Sequence, residues 1–373
     1  MGENIKKIVI SGINLFEGGP LSIYYDILNI LFEDKYFENH EITIFVHKKE
    51  LFQKYIDKIE IIELPKSRKN YIYRLYYEYI YFFKYSKSRN IDVWISLHDI
   101  TPNVIAKKRY VYCHNPSPFL KKITWNIFKY SKVTCLMSIF YRFLYKINIK
   151  KNTSVIVQQN WIKEEFEKEF GIQNIIVARP DVNSTFICKN FKKKEEKEKY
   201  LFIYPVFPRV FKNFEIICEA CKLVNKTNFK DMYEVIFTIN GYENSYSKML
   251  LKKYKNIKNI KWIGLQNREN LFKLYNEVDC MIFSSLLETW GLPISEFKNT
   301  NQPILLADLP YSYETIGTYE KVNFFNTTDA NALSKLMINL LDNKEIYKGN
   351  ITKNKGGYSN WHDLCKKIIL GDN

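Results

Sequence analysis

Short apolar runs alternate with longer periodic stretches along the first half of the chain. The runs have the length of buried strands, and the stretches between them carry apolar residues at helical spacing. The predicted strands are Lys7–Ser11, Glu41–Val46, Ile59–Leu64, Val93–Leu97, Lys108–Tyr112 and Ser154–Val157. The predicted helices are Leu21–Phe32, Tyr71–Tyr85, Thr124–Tyr145 and Trp161–Phe170. Strands separated by helices predict a parallel, doubly wound sheet.

The same alternation restarts beyond residues 186–199, a charged segment without an apolar face, which is predicted to be a solvated linker. The later predicted strands are Leu201–Tyr204, Glu234–Ile239, Asn259–Ile263, Cys280–Ser284 and Pro303–Leu306. The later predicted helices are Glu215–Val224, Asn267–Tyr275 and Ile294–Asn299. We therefore expect an α/β protein with two Rossmann-like domains, 1–185 and 200–355, and a ligand cleft between them. The remaining residues, 356–373, are predicted to form a helix that crosses back to the first domain.

Composition narrows the class of protein. The chain has 373 residues, 46% of them apolar and 26% charged, which is typical of a globular protein with more than one core. Its seven cysteines are odd in number and scattered, which favours a reducing, cytoplasmic compartment over a disulfide framework. Cys218 and Cys221 form a CxxC inside a predicted helix, and no second pair nearby completes a zinc site, so no metal is predicted. No run reaches the roughly 18 apolar residues of a membrane span, and no signal peptide is evident.

The most informative segment follows the predicted strand Cys280–Ser284. A turn containing Gly291 and Pro293 leads into a helix, whose first N–H groups would favour a phosphate. Glu288 lies in the turn and Glu296 on the helix, so the two carboxylates can line one pocket at different depths. A carboxylate suits vicinal sugar hydroxyls, because its two oxygens accept two hydrogen bonds at once. The alternative is that Glu296 is an ordinary solvated helix residue.

This segment resembles the E-x7-E signature of retaining glycosyltransferases of family 4, usually written EGFGLPxLEA. Here it runs from Glu288 to Glu296, with Thr289 in place of the usual glycine. The resemblance implies the GT-B fold, with the donor nucleotide on the C-terminal domain and the acceptor on the N-terminal one. It further implies that Glu296 binds the nucleotide ribose and Glu288 the sugar hydroxyls. The residues implied to line the nucleotide site between them are Thr289, Trp290, Gly291 and Leu292.

A second match follows the first strand of the C-terminal domain, where Arg209 and Lys212 resemble the R-x-x-K element of the same family. The resemblance implies that both cations hold the donor diphosphate. Two fixed cations would stabilise the charge on a departing nucleoside diphosphate without a metal. Asn213 replaces the glycine that usually follows the lysine. The alternative interpretation is a pair of surface charges that begin a helix.

Three weaker matches complete the site that the resemblance implies. Gly18 and Gly19 follow the first strand, like the family's glycine-rich loop facing the phosphates, although they equally suit a plain strand–helix turn. Gly241 belongs to an Asn-Gly turn implied to contact the donor. His114 ends an apolar strand, where many family members place a histidine against the donor sugar, whereas an isolated histidine is more often structural.

The implied function is the retaining transfer of a sugar from a nucleotide-sugar, UDP- or GDP-linked, to an acceptor hydroxyl. Cell-surface polysaccharide assembly of the O-antigen or capsule type is the expected setting, with no cofactor besides the donor. The sequence does not name the base, the sugar or the acceptor. The enzymatic alternatives are a nucleotide-sugar epimerase and a glycogen-type synthase on the same fold. A binding-only protein on a degenerate scaffold is a further alternative.

Charge is concentrated in one part of the chain. The net charge is +16, and residues 66–151 hold eighteen basic and three acidic residues, a local balance of +15. The same window holds twenty of the sixty aromatic residues. Without a nucleic-acid-binding motif, we expect no nucleic-acid partner. We expect instead that this window docks a peripheral enzyme on the anionic inner face of the plasma membrane, next to a lipid-linked acceptor. A purely solvated face is the alternative.

Overall fold

The structure is a computed structural model. It describes residues 5–16, 18–120, 129–130, 132–180, 198–344, 346–351 and 361–370. The chain divides into two compact units. The first unit takes Met1–Phe119, Ser138–Asp181 and Gly356–Asn373, and the second takes Leu120–Met137 and Val182–Lys355. Most of the predicted linker at 186–199 lies outside the described residues.

The first unit is built on a seven-stranded sheet. Its strands are β1 (Lys7–Gly12), β2 (Glu41–Val46), β3 (Glu60–Glu63), β4 (Ile91–Ser96), β5 (Ala106–Tyr112), β6 (Ser154–Val157) and β7 (Ile175–Val177). They lie in the order β3-β2-β1-β4-β5-β6-β7, and every neighbouring pair is parallel. Because both faces of such a sheet are covered, the strands are apolar along most of their length. The doubly wound parallel sheet predicted from the alternation is confirmed.

Helices surround this sheet in the first unit. They are α1 (Gly18–Glu33), α2 (Tyr36–Asn39), α3 (Tyr71–Tyr76), α4 (Phe82–Lys87), α5 (Lys132–Lys146, of which the part from Ser138 belongs here) and α6 (Asn160–Phe170). A π-helical segment, Tyr77–Tyr81, joins α3 to α4 into one continuous helical stretch. The helix predicted over Thr124–Tyr145 corresponds to α5, and residues 121–128 lie outside the described part.

The C-terminal helix Trp361–Leu370 belongs to the same core as α1. Trp361 is buried and its ring lies 5.0 Å from the ring of Tyr112, edge to face. Leu364 and Ile368 share the core cluster with Tyr24 of α1. Apolar spacing of three and four residues places these side chains on one side of the helix, which explains why it packs there.

The second unit is built on a six-stranded sheet. Its strands are β8 (Tyr200–Tyr204), β9 (Tyr233–Phe237), β10 (Ile260–Trp262), β11 (Cys280–Phe283), β12 (Ile304–Ala307) and β13 (Val322–Phe325). The order is β10-β9-β8-β11-β12-β13, again with every neighbouring pair parallel. Its helices are α7 (Phe214–Val224), α8 (Ser245–Tyr254), α9 (Arg268–Glu277), α10 (Leu292–Lys298), α11 (Pro310–Ile316) and α12 (Ala330–Leu341). The prediction of a second α/β domain is confirmed.

Candidate active site

The two loops with the strongest sequence motifs follow adjacent strands, β8 and β11. The strand order of the second sheet reverses between them, since β9 and β10 lie on one side and β12 and β13 on the other. Parallel α/β sheets bind ligands in the crevice at the carboxyl ends of the strands where the order reverses. The loops 205–213 and 284–291 both start at this edge.

Hydrogen bonds fasten these two loops to each other. The backbone N–H of Leu286 donates to the carbonyl of Phe211 at 2.7 Å. The carbonyl of Lys212 accepts from the Tyr204 hydroxyl at 2.5 Å and from the Ser284 hydroxyl at 3.1 Å. Tyr204 and Ser284 are buried at the ends of their strands. The backbone around Lys212 is therefore held rigidly by both neighbouring strands.

Lys212 and Glu288 form an ion pair at this edge, Nζ to Oε1. The two residues are 76 positions apart in the chain, and each side chain is only 13% exposed. The ammonium also lies 5.8 Å from the ring of Phe283 at the end of β11. Partial burial beside an aromatic ring strengthens the electrostatics of such a pair. The structure thus brings together the cation of one motif and the carboxylate of the other.

Arg209 lies at the start of the single 3-10 turn Val210–Lys212, and its side chain is exposed. The backbone N–H of Lys212 donates to the Arg209 carbonyl at 2.8 Å, which closes the turn. Asn213 follows with a φ of +53°. Asparagine tolerates this left-handed region better than most residues, which explains how it can replace a glycine here. The structure therefore places Arg209 and Lys212 at the two ends of one tight turn, and their role toward a diphosphate stays a prediction.

The turn before α10 has one position that requires glycine. Gly291 has a φ of +85°, and a Cβ there would lie 3.1 Å from Cδ1 of Ile294. Thr289 has a negative φ, so this position does not require the glycine that is usual there. Trp290 is buried and its Nε1–H donates to the Ser295 hydroxyl at 3.0 Å. Leu292 is exposed at the start of α10.

Glu296 projects from α10 close to two residues of α9. Its carboxylate lies 3.5 Å from the Tyr275 hydroxyl and 3.5 Å from Nη2 of Arg268. Burial raises the pKa of Glu296 above its ordinary value, while Arg268 and then Tyr275 act in the opposite direction. A carboxylate with a raised pKa at the carboxyl edge of a parallel sheet is typical of a functional site. The spacing of the motif could not predict either partner.

Gly241 lies in the loop after β9. Its φ is +88°, and a Cβ there would come within 2.7 Å of the Leu251 side chain. Its N–H donates to Oε2 of Glu243 at 3.1 Å, and the N–H of Asn240 donates to Oε1 of the same carboxylate at 2.6 Å. The structure accounts for glycine at this position by packing and backbone conformation.

In the first unit, His114 follows β5 in a loop organised by Asp99. The Asp99 carboxylate accepts from the backbone N–H groups of His114 at 2.8 Å and Asn115 at 2.9 Å. The Tyr145 hydroxyl donates to the same oxygen at 3.0 Å. Burial lowers the pKa of His114, although Asp99 raises it in part. The imidazole is therefore neutral at pH 7, so it can offer a hydrogen bond but no full charge.

Gly18 and Gly19 were expected in a loop before the first helix, but α1 already begins at Gly18. Proline is tolerated in a first helical turn because the first N–H groups have no partner within the helix, so Pro20 does not delay the start. Glu17 lies outside the described residues. The two glycines are thus part of the helix start.

Two sets of side-chain contacts in the first unit could not be predicted from the sequence. Glu78 and His98 are joined by a buried hydrogen bond between Oε1 and Nε2, and the buried Arg74 donates to the His98 carbonyl at 2.8 Å. The spacing of Arg74 and Glu78, four apart on a predicted helix, equally suits a solvated surface pair. The contacts of Asp99 with the His114 loop likewise depend on tertiary structure, since they join residues 15 and 16 positions apart.

The described part of the chain holds neither a cluster of metal-ligating side chains nor a membrane-spanning helix. No group of three or more His, Cys, Asp or Glu residues converges there as a set of metal ligands. No helix in those residues combines the length and apolarity needed to cross a membrane. Cys218 and Cys221 lie buried on α7, where burial raises the pKa of both thiols.

Two parallel α/β sheets of this topology, with loops of this kind after β8 and β11, define the GT-B fold. The crystal structure of WaaG, a glycosyltransferase involved in lipopolysaccharide biosynthesis, matches 98% of this chain and 100% of its own, with a TM-score of 0.64 and 12% identity. Anabaena Alr3699/HepE in complex with UDP-glucose matches 98% of this chain and 96% of its own, with a TM-score of 0.54 and 12% identity. These similarities establish the fold.

Sequence similarity is informative for the second unit in particular. Residues 186–355 match the model of the family described as "Glycosyl transferases group 1", a match that covers somewhat less than half of the chain. The O-antigen chain mannosyltransferase RfbU of Salmonella typhimurium (strain LT2) is 23% identical over 219 residues, an alignment that covers 56% of this chain. It spans 59% of the length of RfbU, less than two thirds of that relative.

Proposed function

We propose that this protein is a retaining, metal-independent glycosyltransferase that moves a sugar from a nucleotide-sugar to an acceptor hydroxyl in cell-surface polysaccharide assembly. The observation that carries the proposal is the pairing of Lys212 with Glu288 at the reversal point of the second sheet. It joins a phosphate-binding cation and a sugar-binding carboxylate in the domain that matches the glycosyl transferases group 1 family.

Each side chain has a proposed role toward the donor. Lys212 and the exposed Arg209 would bind the diphosphate, Glu296 the ribose hydroxyls, Glu288 the hydroxyls of the transferred sugar, and His114 the sugar ring. Diphosphate binding would draw Lys212 away from Glu288 and free that carboxylate for sugar hydroxyls. Without donor, the two side chains compensate each other's charge. With donor bound, the diphosphate would pair with Lys212 and the sugar hydroxyls would bind Glu288.

The proposed reaction is a same-face substitution at the anomeric carbon. The acceptor oxygen forms a bond to that carbon as the bond to the diphosphate oxygen breaks. The acceptor proton passes to the departing phosphate oxygen, and the electron pair of the broken bond stays on the diphosphate. Lys212 and Arg209 stabilise that developing charge more than the charge of the intact donor, and this difference accelerates the step.

The donor base and sugar are open to a direct test. RfbU is by name a mannosyltransferase, and the Anabaena structure holds UDP-glucose, so GDP-mannose and UDP-glucose are the first candidates. Thermal-shift screening with UDP, GDP, TDP and their sugars should show stabilisation by one nucleotide class, because a ligand that binds only the folded state raises its stability. Uniform absence of a shift would contradict donor binding.

A nucleotide-sugar epimerase or a glycogen-type synthase remains the second enzymatic candidate. Incubation with the donor alone distinguishes an epimerase from a transferase, and incubation with the donor and a glucan primer tests for a synthase. An epimerase would convert the donor into its epimer without an acceptor, a synthase would extend a glucan primer, and the proposed enzyme would show only slow donor hydrolysis. NMR of the transferred sugar would report whether the anomeric configuration is retained.

We expect the donor KM to depend on pH through Glu296. Because burial raises the pKa of this carboxyl, it takes up a proton at a higher pH than an ordinary glutamate, and ribose binding then weakens. The donor KM should therefore rise as the pH falls toward this raised pKa, while Glu296→Gln should have a KM about tenfold or more higher and independent of pH. Initial rates across a pH series measure both.

Protonation of Glu296 should weaken donor binding but stabilise the fold. A raised pKa means that the folded state binds the proton more tightly, so this group's contribution to stability is lost as the pH rises through the raised value. Glu296→Gln should therefore unfold at a slightly higher temperature at pH 7. Glu219→Gln, at a more exposed site where lysines lower the pKa, is the matched control and should leave the donor KM unchanged. An unchanged KM in Glu296→Gln would contradict the ribose assignment.

We expect His114→Ala to lower kcat by about 10- to 100-fold with little change in the donor KM, because a hydrogen bond made mainly in the transition state affects kcat. Since the pKa of His114 is lowered, kcat should not fall between pH 7.5 and about 6.5, the ordinary histidine value. His114→Asn should recover part of the loss. A variant with full kcat would remove His114 from the mechanism.

We further propose that the acceptor is lipid-linked and that the enzyme works peripherally at the inner face of the plasma membrane. The basic, aromatic window 66–151 supports this proposal through its charge. Assaying transfer to membrane extracts and to soluble oligosaccharides would distinguish a lipid-linked acceptor from a free glycan.

A further inference from the structure

The helical stretch Tyr71–Lys87 buries charged side chains in its first half, whereas its second half buries the aromatic rings of Phe82 and Tyr85. Its inner side carries Arg74 and Glu78, both buried, and Glu78 is paired with the buried His98. Charged residues are almost never buried unless they are paired, and a surface helix ordinarily turns its charges outward. The charges of this stretch therefore lie on the side where apolar residues would normally pack.

The outer side of the same stretch is apolar. Ile72 is 77% exposed and Ile80 is 47% exposed, with the exposed ring of Tyr76 between them. The spacing of four residues aligns these side chains in one row. The next position of the row is Lys84, which is exposed at the start of α4. An apolar row that ends in a lysine suits the boundary of an apolar layer, because the apolar side chains can enter the layer while the ammonium stays in the polar region.

A second row of the same kind lies on α5, the neighbouring helix. Ile139 is 65% exposed and Phe143 is 63% exposed, and the row ends at the exposed Lys146. The helices touch where the ring of Phe140 lies 5.4 Å from that of Tyr71, edge to face. The two rows thus lie on adjacent helices of one unit. We call Ile72, Tyr76, Ile80, Ile139 and Phe143 the two-helix face.

The charges that border this face are mainly basic, although Arg142 of α5 is paired with Glu169. The window 66–151 contains three acidic residues. Glu78 and Asp99 are buried, and Asp92 is paired with Lys107 at 2.6 Å. Each acidic side chain is therefore turned inward or neutralised, whereas the lysines that end the two rows remain exposed. Lys84 and Lys146 are two of the basic residues that make up the charge excess of the window 66–151.

We infer that the two-helix face docks on the surface of a bilayer that contains anionic lipid. A bilayer offers an apolar layer for the aliphatic side chains and anionic headgroups for the exposed Lys84 and Lys146. A second copy of the chain would bring an equally cationic surface, and like charges repel. A nucleic acid would meet the lysines but would leave Ile72, Ile80 and Ile139 without apolar contact.

Co-sedimentation of the full chain with vesicles tests the inference. Binding is expected to equimolar phosphatidylglycerol and phosphatidylcholine at low salt, and to be much weaker to phosphatidylcholine alone. Ile72→Ser with Ile80→Ser and Ile139→Ser should weaken binding about tenfold or more, since the affinity scales with buried apolar area. Lys84→Ala with Lys146→Ala should weaken it about fivefold per lysine at low salt, and less in about 1 M NaCl.

Matched controls carry the same changes on other surfaces. Ile5→Ser with Ile346→Ser and Ile351→Ser removes three exposed isoleucines elsewhere, and Lys255→Ala with Lys258→Ala removes two exposed lysines of the second unit. Both should bind vesicles like the parent chain. The inference is overturned if the parent chain does not bind anionic vesicles at low salt, or if face and control variants lose affinity equally. Light scattering that showed a dimer broken only by the face variants would assign the face to a second copy, and single-stranded RNA that abolished vesicle binding would assign it to nucleic acid.

The inference uses the proposed lipid-linked acceptor only as its biological reason, so the two can fail separately. Donor hydrolysis in solution, measured without lipid, should be the same in the face variants and in the parent chain. Vesicle binding with no donor turnover would leave the face intact and remove the glycosyltransferase proposal. Donor turnover with no vesicle binding would remove the membrane-docking role of the two-helix face and leave the glycosyltransferase proposal intact.

Discussion

Lys212→Ala is expected to reduce sugar transfer by about a thousandfold. Its ammonium is the more deeply placed of the two candidate diphosphate cations, and removing one preorganised donor to a developing charge typically lowers kcat by about 10²–10³. The exposed Arg209 remains and preserves part of the donor affinity. The loss should therefore be larger in kcat than in the donor KM, which steady-state kinetics with the nucleotide-sugar identified by thermal shift would measure.

Lys212→Ala also leaves Glu288 without its partner, so a loss of stability must be separated from a loss of chemistry. The double variant Lys212→Ala with Glu288→Ala removes both charges and should recover stability relative to either single variant, because no unpaired charge remains. It should recover no activity. Lys222→Ala, which breaks an exposed ion pair with Glu219 at 3.0 Å, is the matched control and should turn over normally. A Lys212→Ala enzyme with near-normal kcat would exclude the proposed role.

Arg74→Met is expected to lower the free energy of unfolding of the first unit by about 3–5 kcal/mol. The Arg74 guanidinium donates to the Tyr141 hydroxyl at 2.8 Å and to the His98 carbonyl at 2.8 Å. Burial alone would lower its pKa, but Tyr141, Glu78 and Asp99 outweigh that effect and raise it. Removing the cation leaves Glu78 buried beside His98 with less compensation, and breaking a buried charged pair typically costs about this much.

Hydrogen–deuterium exchange in increasing urea, followed on peptides of the first unit, would separate this loss from unfolding of the second unit. Arg89→Met, in the turn that follows the same helical stretch, is the matched control. Arg89 is exposed and lies 4.0 Å from the centroid of the Tyr85 ring, so its loss should change stability by less than about 1 kcal/mol. If the two substitutions lowered the free energy of unfolding equally, the buried contacts of Arg74 would not stabilise the first unit more than an exposed arginine does.

Most of the fold follows from local patterns. Glu41–Val46 and Ser154–Val157 were predicted with the bounds observed, since an apolar run of strand length between turn residues has few other interpretations. Ile175–Val177 was not predicted, because three residues are too short to show a period. The helix Ser245–Tyr254 was also missed: serines and lysines cover its outer side, and only Tyr246, Ser247, Leu250 and Tyr254 face the core.

The candidate site divides in the same way. The sequence predicts that the motif residues lie at strand ends, because the glycine, proline and asparagine residues of a turn can be recognised directly after an apolar run. The partners of Glu296 on α9 and the clamp of Tyr204 and Ser284 on the Lys212 loop could not be predicted, since they lie on other elements.

Local patterns along the chain were enough to predict the two parallel sheets, the positions of the loop motifs and the location of the charge excess. Which charges face inward depends on tertiary contacts, because Arg74 and Glu78, four residues apart, would look the same on a solvated helix. Only the parallel arrangement of β8 beside β11 brings Lys212 to Glu288 across 76 residues. Periodicity reports which side of an element differs from the other, whereas pairing between distant elements depends on how the sheet is ordered, and no local pattern records that order.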